Sequence, residues 1–192
     1  MPDLFQQQSA LMAINFGVSE VDAPRIEETS FPGFINLRGR LDHSGFCAAI
    51  LTVLGCEPPT AANTMREAGD YRIYWLGPDE WLVVTPTGRA GELQTQLQTS
   101  LSGVFSSVVD NSSGLVLFKI TGDHAADLLA SDCPLDLHPR VFKYGQCAQT
   151  RLAKTSMIIA PLRDGNGFEM IIRRSYADYI GRWLQDALQA FV

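Results

Sequence analysis

Apolar positions along this chain switch between a period of two residues and one of about 3.6, and the order of the switches occurs twice. In the first half, Gly33 to Leu37 (GFINL) reads as a short strand. Asp42 and Ser44, residue types that cap helices, lead into Phe46, Ala49, Ile50, Val53 and Leu54, the spacing of one helical face. Gly55 supplies a left-handed stop. After the break at Glu57-Pro58-Pro59 an extended segment is expected around Asn63 to Arg66. Tyr71 to Leu76 and Trp81 to Thr85 predict a hairpin about Gly77-Pro78-Asp79-Glu80, because Pro78 presets a turn dihedral. The aromatic pair Trp75 and Trp81 flanks that turn. Leu93, Leu97 and Leu101 mark a closing helix.

The second half opens with strand-forming residues at Val104 to Val109, a turn at Asp110 to Gly114, and the apolar run Leu115 to Ile120, broken only at Lys119. Such a run suits a strand covered on both faces. Thr121 or Asp123 is placed to cap a short helix through Leu129, and Pro134 and Pro139 exclude a long helix from the connector that follows. Cys147 to Leu152, Ser156 to Ala160 and Phe168 to Arg173 predict three strands, the last two joined by the turn Asp164-Gly165-Asn166-Gly167. Tyr176, Tyr179, Ile180, Trp183, Leu184, Ala187, Leu188 and Phe191 fall on one helical stripe, with Ser175 and Asp178 at capping-box spacing.

Gly33–Leu37, Phe46–Leu54, Arg72–Thr85 and Leu93–Leu101 thus recur in order as Leu115–Ile120, Ala125–Leu129, Met157–Arg173 and Tyr176–Phe191. The expected fold is α+β: two similar strand-helix-strand-strand-helix units, with mostly antiparallel sheets carrying helices on one side. Residues 1–28 are expected to form an amino-terminal arm in which Leu11, Met12, Ile14 and Phe16 are placed to dock against a sheet. Residues 29–103 and 104–192 are the expected subdomains. A strand exchanged across the seam near residues 102–114 would leave the same pattern in the sequence.

Composition narrows the function. The 192 residues are 46% hydrophobic, as in an ordinary globular core. Fifteen basic residues against 21 acidic ones give a formal charge of -6, with no basic run longer than Arg173-Arg174. That balance argues against nucleic acid as a partner. The amino terminus lacks a positively charged stretch and a long apolar one, which argues against a signal peptide or a membrane span and for the cytoplasm. Cys47, Cys56, Cys133 and Cys147 have no C-x-x-C spacing, and scattered thiols in a reducing compartment are mostly small buried hydrophobes.

Reaction chemistry is harder to find. His43, His124 and His138 are the histidines available as bases, the first two in the opening turns of predicted helices and the third in the proline-rich connector. Neither G-x-G-x-x-G nor a phosphate-binding G-x-x-x-x-G-K-S/T loop occurs, and no histidine, cysteine or carboxylate cluster has metal-ligand spacing. Asp132, Asp136 and Asp164 read as turn residues. No residue is therefore assigned to catalysis, cofactor binding or a metal. Two features suit contact with a partner instead: Arg173 and Arg174, two guanidinium groups at a strand end, and the hairpin carrying Trp75, Pro78 and Trp81.

Four segments, WLGPDEWLVV, VVDNSSGLVLFKITGDHAADLLASDCPLDL, HPRVFKYGQCAQTRLAK and RRSYADYIGRWLQDAL, in this order and spacing, closely resemble the gamma-subunit family of bacterial heterotetrameric sarcosine oxidases. The resemblance covers roughly residues 30–192. It implies a noncatalytic subunit packed on an alpha subunit, within a complex that also holds beta and delta subunits. That complex demethylates sarcosine oxidatively to glycine, releasing hydrogen peroxide and formaldehyde or 5,10-methylenetetrahydrofolate. The resemblance places FAD, FMN, NAD and tetrahydrofolate in the partner subunits and no cofactor in this chain. It also implies a fold similar to the folate-binding T-protein of glycine cleavage and to the amino-terminal domain of a tRNA-modification GTPase. The T-protein's acidic and arginine-rich folate motifs are not found here, so a stand-alone folate-binding module is the rival reading. A free-standing transferase using Cys147 or Asp110 is the third.

Overall fold

The computed structural model describes residues 8–11, 14, 16 and 23–191. The elements in the first half are β1 (Arg25–Glu28), β2 (Gly33–Arg38), α1 (Ser44–Leu54), β3 (Met65–Ala68), β4 (Tyr71–Gly77), β5 (Glu80–Thr85), α2 (Ala90–Ser100) and β6 (Ser107–Asp110). They are followed by β7 (Leu115–Thr121), α3 (Ala125–Ala130), β8 (Ala148–Leu152), β9 (Thr155–Pro161), β10 (Gly167–Arg173) and α4 (Ala177–Leu188). Met12 lies outside the described residues.

The strands form two five-stranded sheets, in the orders β3-β4-β5-β2-β6 and β8-β9-β10-β7-β1, with antiparallel neighbours throughout. Position by position the orders match, and α1 and α3 follow the matched strands β2 and β7 as α2 and α4 follow β5 and β10. One pair is exchanged. β1 precedes β2 in the chain but pairs with β7, and β6 precedes β7 but pairs with β2. Equivalent bonds complete both crossings: Thr29 N–H donates to Leu117 O and Asn111 N–H to Phe34 O, each at 2.8 Å.

Hydrogen bonding therefore assigns β6 to the first sheet, although it lies beyond the boundary that chain order suggests at 103/104, and β1 to the second. Periodicity gave no signal for β1, because Arg25-Ile26-Glu27-Glu28 has a single apolar residue, Ile26, which is buried opposite Ile120. The far edges of the sheets are stitched as well: Met65 N–H donates to Gly145 O at 2.8 Å and Cys147 N–H to Asn63 O at 2.9 Å.

Alternation along the strands divides the core into three layers. Ile35, Leu37, Ile73, Trp81 and Val83 face α1 and α2, and Val116, Phe118, Ile120, Met170 and Ile172 face α3 and α4. The opposite faces, including Phe34, Leu82, Val84, Leu117, Ala160 and Ile171, pack sheet against sheet. β7 thus has apolar neighbours on both sides, as the consecutive apolar residues Leu115 to Phe118 require. Within the middle layer Glu169 is 3% exposed. Tyr74 O–H donates to its Oε1, and Arg72 Nη1 lies 3.2 Å from its Oε2. Burial, and then the charge of Glu169, hold the Tyr74 hydroxyl well above its ordinary pKa.

Helix ends depart from expectation. Gly55 is left-handed at φ 74° and returns its N–H to Leu51 O, as its position implied. The capping side chains are not used: His43 and His124 stand at the N-caps of α1 and α3 without capping bonds, and Asp42 pairs with Arg40 instead. A 3₁₀ turn at Arg174–Tyr176 moves the start of α4, so Ser175 does not cap it and Asp178 pairs with Arg182 at 3.0 Å. The buried stripe of α4 is Ala177, Ile180, Gly181, Leu184 and Leu188, which leaves Tyr176 and Tyr179 in solvent.

Removing Glu169 while leaving its partners would strand a guanidinium and a hydroxyl between the sheets. Glu169→Ala is expected to lower stability by about 3–5 kcal/mol. Tyr74→Phe is expected to lower it by about 1.5–3 kcal/mol. Urea denaturation followed by fluorescence measures both, and a loss below about 1 kcal/mol for Glu169→Ala would show that the buried carboxylate does not hold the sheets together.

Candidate functional site

The β4–β5 hairpin turns through Pro78 and Asp79, both exposed, and Gly39 N–H holds its tip by donating to Asp79 O at 3.1 Å. Behind the tip, Glu80 accepts from Asn36 Nδ2 at 2.7 Å and pairs with Arg38 at 2.8 Å. Trp75 and Trp81 are cross-strand partners, as their placement about the turn implied. Their exposures differ. Trp75 is half-buried, whereas Trp81 is fully buried, its ring centroid 5.7 Å from that of Phe46 and its Nε1–H donating to Pro59 O at 2.8 Å. Trp81 therefore offers no surface to a partner: its place in the β5 alternation turns it toward α1. Pro78 remains available.

Arg173 ends β10 with its side chain in solvent. Arg174 is engaged within the chain: its N–H donates to Gly114 O at 2.9 Å and its guanidinium donates to Gln8 O. The two candidate features do not form one surface. The hairpin tip sits at the Arg38 end of β2, while Arg174 lines a cleft that includes Gly33, at the opposite end of the same strand.

That cleft, of about 500 Å³, lies where the exchanged connectors cross. Thr29 to Gly33 form one wall, Ser112, Ser113 and Leu115 another, and the Gly88–Gly91 entry to α2 a third. Gly33 is required here, since a Cβ would come 2.7 Å from the Ala90 Cβ. The charged lining is already bonded. Glu28 accepts from Ser9 Oγ, Ala10 N–H and Leu11 N–H, and Asp110 accepts from Ser112 N–H and Oγ. Ser112 Oγ in turn accepts from Phe34 N–H at 2.9 Å.

The remaining candidates are dispersed. Asp110 lies on β6 and Cys147 beside the start of β3, at opposite edges with β4, β5 and β2 between. Burial pushes the Cys147 thiol up to about 11, and its Sγ–H donates to Thr64 O at 3.2 Å. That is the reverse of the electropositive, open setting of a reactive thiol. His43 is exposed, His124 pairs with Asp127 at 2.9 Å, and His138 Nδ1 accepts from Arg140 N–H at 3.2 Å. Among the described residues, no three histidine, cysteine or carboxylate side chains are grouped to hold a metal. The described helices include none long and apolar enough to cross a membrane. Sequence reasoning missed Phe105, placed within an expected strand: that strand begins at Ser107, and the ring is 91% exposed.

Residues 38–190 match the family described as "Sarcosine oxidase, gamma subunit family". The chain belongs to that family. It is 30% identical over 195 residues to a sarcosine oxidase subunit gamma from Corynebacterium sp. (strain U-96), spanning 98% of this chain and 92% of that protein. A sarcosine oxidase subunit gamma from Arthrobacter sp. is 28% identical over 176 residues, spanning 90% of this chain and 84% of that protein. Among solved structures, a chain of the heterotetrameric sarcosine oxidase from Corynebacterium sp. U-96, in complex with pyrrole 2-carboxylate, overlays with a TM-score of 0.84 at 29% identity, covering 96% of each chain. The aminomethyltransferase T of the glycine cleavage system from Bartonella henselae overlays with a TM-score of 0.67 at 15% identity, covering 85% of this chain and 45% of that one, a likeness of fold. The sarcosine oxidase and T-protein likenesses expected from the four segments are thus both found.

Two measurements follow from the site. Trp81→Ala is expected to cost about 3–5 kcal/mol, as a buried core ring, and Pro78→Ala no more than about 1 kcal/mol by urea denaturation. A raised thiol pKa in the folded state stabilises fully below the unfolded thiol value and is lost as pH rises through the folded one, so Cys147 contributes stability up to about pH 9 that fades toward about 11. Tyr74 adds to the decline with the same sign. The fall in denaturation midpoint above pH 9 should be shallower in Cys147→Ala than in the parent, and equal slopes would mean the thiol is open to solvent.

Proposed function

We propose that this chain is a noncatalytic assembly subunit of a heterotetrameric sarcosine oxidase, packed on the alpha subunit with beta and delta subunits in the same complex. The observation that carries the reading is the overlay of 96% of the chain on a chain of such an oxidase, at a TM-score of 0.84. The dispersal of Asp110, Cys147 and the histidines supports it, because acyl, methyl or electron transfer needs groups held together. In this reading oxidative demethylation of sarcosine to glycine, with release of hydrogen peroxide and formaldehyde or 5,10-methylenetetrahydrofolate, takes place in the partner subunits. FAD, FMN, NAD and tetrahydrofolate belong there, and the complex works in the cytoplasm.

The internal bonding of Glu28, Asp110, Ser112 and Arg174 favours assembly over the rival reading of a stand-alone folate-binding module. Pro78, Arg173 and Phe105 are the contacts proposed for the alpha subunit, a prominent turn, a free guanidinium and an exposed ring.

Co-expression with the alpha, beta and delta subunits tests the proposal. The chain should co-purify with alpha at one-to-one stoichiometry, Phe105→Ser should reduce its recovery at least threefold, and omitting the chain should lower the thermal stability of the remaining complex. Calorimetry of the isolated chain with tetrahydrofolate should show no binding. Turnover of sarcosine by the chain alone, or one tightly held flavin per chain, would refute the noncatalytic role; a folate heat signal would restore the rival.

A further inference from the structure

The segment carrying Gln8, Ser9, Ala10, Leu11, Ile14 and Phe16 adds no strand to either sheet, yet it is held by three devices that read a peptide. The Glu28 carboxylate accepts the successive N–H groups of Ala10 and Leu11, at 3.1 and 3.3 Å, together with Ser9 O–H. The Arg174 guanidinium takes Gln8 O. The third device is an absence of side chain. At Gly181, within α4, a Cβ would fall 2.3 Å from Ile14 Cδ1 and 2.7 Å from Leu11 Cδ2, so both side chains seat where any other residue would stand. Glycine disfavours a helix interior, and this close approach is the physical reason for it here.

We propose that this segment is a detachable strap whose docking between β1 and α4 closes one wall of the crossing cleft. Its anchors divide by chemistry. Glu28 and Arg174 are only half-buried, and water serves a carboxylate and a guanidinium about as well as backbone groups do. Leu11 is the deep anchor at 5% exposed, while Ala10, Ile14 and Phe16 are partly covered. Opening therefore unseats one buried side chain and leaves both sheets, with all their ladders, intact, the signature of a local transition rather than a global one. Gln8 and Arg174 both line the cleft, so release of the strap uncovers the Arg174 guanidinium and the Glu28 carboxylate on one side of it.

Hydrogen exchange on the full chain tests this, with arginine modification by phenylglyoxal as a second readout. In the parent, the amides of Ala10, Leu11 and Ile14 should be protected and should exchange by an opening insensitive to low urea, whereas β7 and β10 amides exchange by a urea-dependent one. Gly181→Leu, which fills the notch, and Leu11→Ser, which acts from the strap side, should each raise arm exchange and Arg174 modification at least tenfold while leaving β7 and β10 protection unchanged. An arm unprotected in the parent, arm and β10 amides sharing one urea dependence, or Arg174 modification unmoved by Leu11→Ser would each overturn the proposal. Leu11→Ser decides the matter if Gly181→Leu does not fold.

Discussion

The reciprocal exchange of β1 and β6 is the constraint on which the rest of the structure depends. Each sheet owes its edge strand to the other half of the chain, so pulling the halves apart would strip a hydrogen-bonded neighbour from both β2 and β7. It would also expose the middle layer built from Phe34, Tyr74, Leu82, Leu117 and Ile171. Unpaired backbone groups and bare apolar surface are each costly, and here they would be incurred together. The exchange thus binds two small units, each with a thin core of its own, into one cooperative body. It also makes the cleft, which exists because two connectors must pass each other at the same end of the sandwich.

Matching the units through their equivalent crossing bonds sets Phe34 against Leu117, and hence Leu82 against Glu169 and Tyr74 against Ala160. The duplication is broken there. On one side of the middle layer a tyrosine meets a glutamate, and at the related position an alanine stands with a leucine. A buried carboxylate between sheets is not a route to maximal stability, since an apolar pair of equal volume serves as well or better. The hydrogen bond it accepts from Tyr74, with the Arg72 guanidinium paired to its other oxygen, instead favours one lateral placement of the sheets, which apolar contacts alone specify weakly.

The functional reading follows from where polar chemistry is placed. Glu28, Asp110, Ser112 and the Arg174 guanidinium at the crossing cleft bond to the chain itself, and Cys147 is sealed in the middle layer. What faces outward is shape: the Pro78 turn, the Arg173 side chain, and the Phe105 ring on the loop before β6. A surface of that kind suits the assembly role proposed above for this member of the gamma-subunit family.

Apart from β1, the elements, their order and the α+β class were legible from the sequence, because each is fixed by local periodicity and turn chemistry: the alternation at Trp81 to Thr85, the stop at Gly55, the hairpin turn before Phe168. Segment resemblance gave the family for the same local reason, as order and spacing survive without coordinates. Pairing was not legible. Whether β6 joins β2 or β7 depends on which free edge it meets, and the single apolar residue of β1 carries no period at all. The facing of Trp81, the engagement of Arg174 by the arm, and the use of Gly181 as a notch were likewise decided only in the tertiary structure. Each depends on a neighbour distant in the chain, and no local pattern encodes which neighbour that will be.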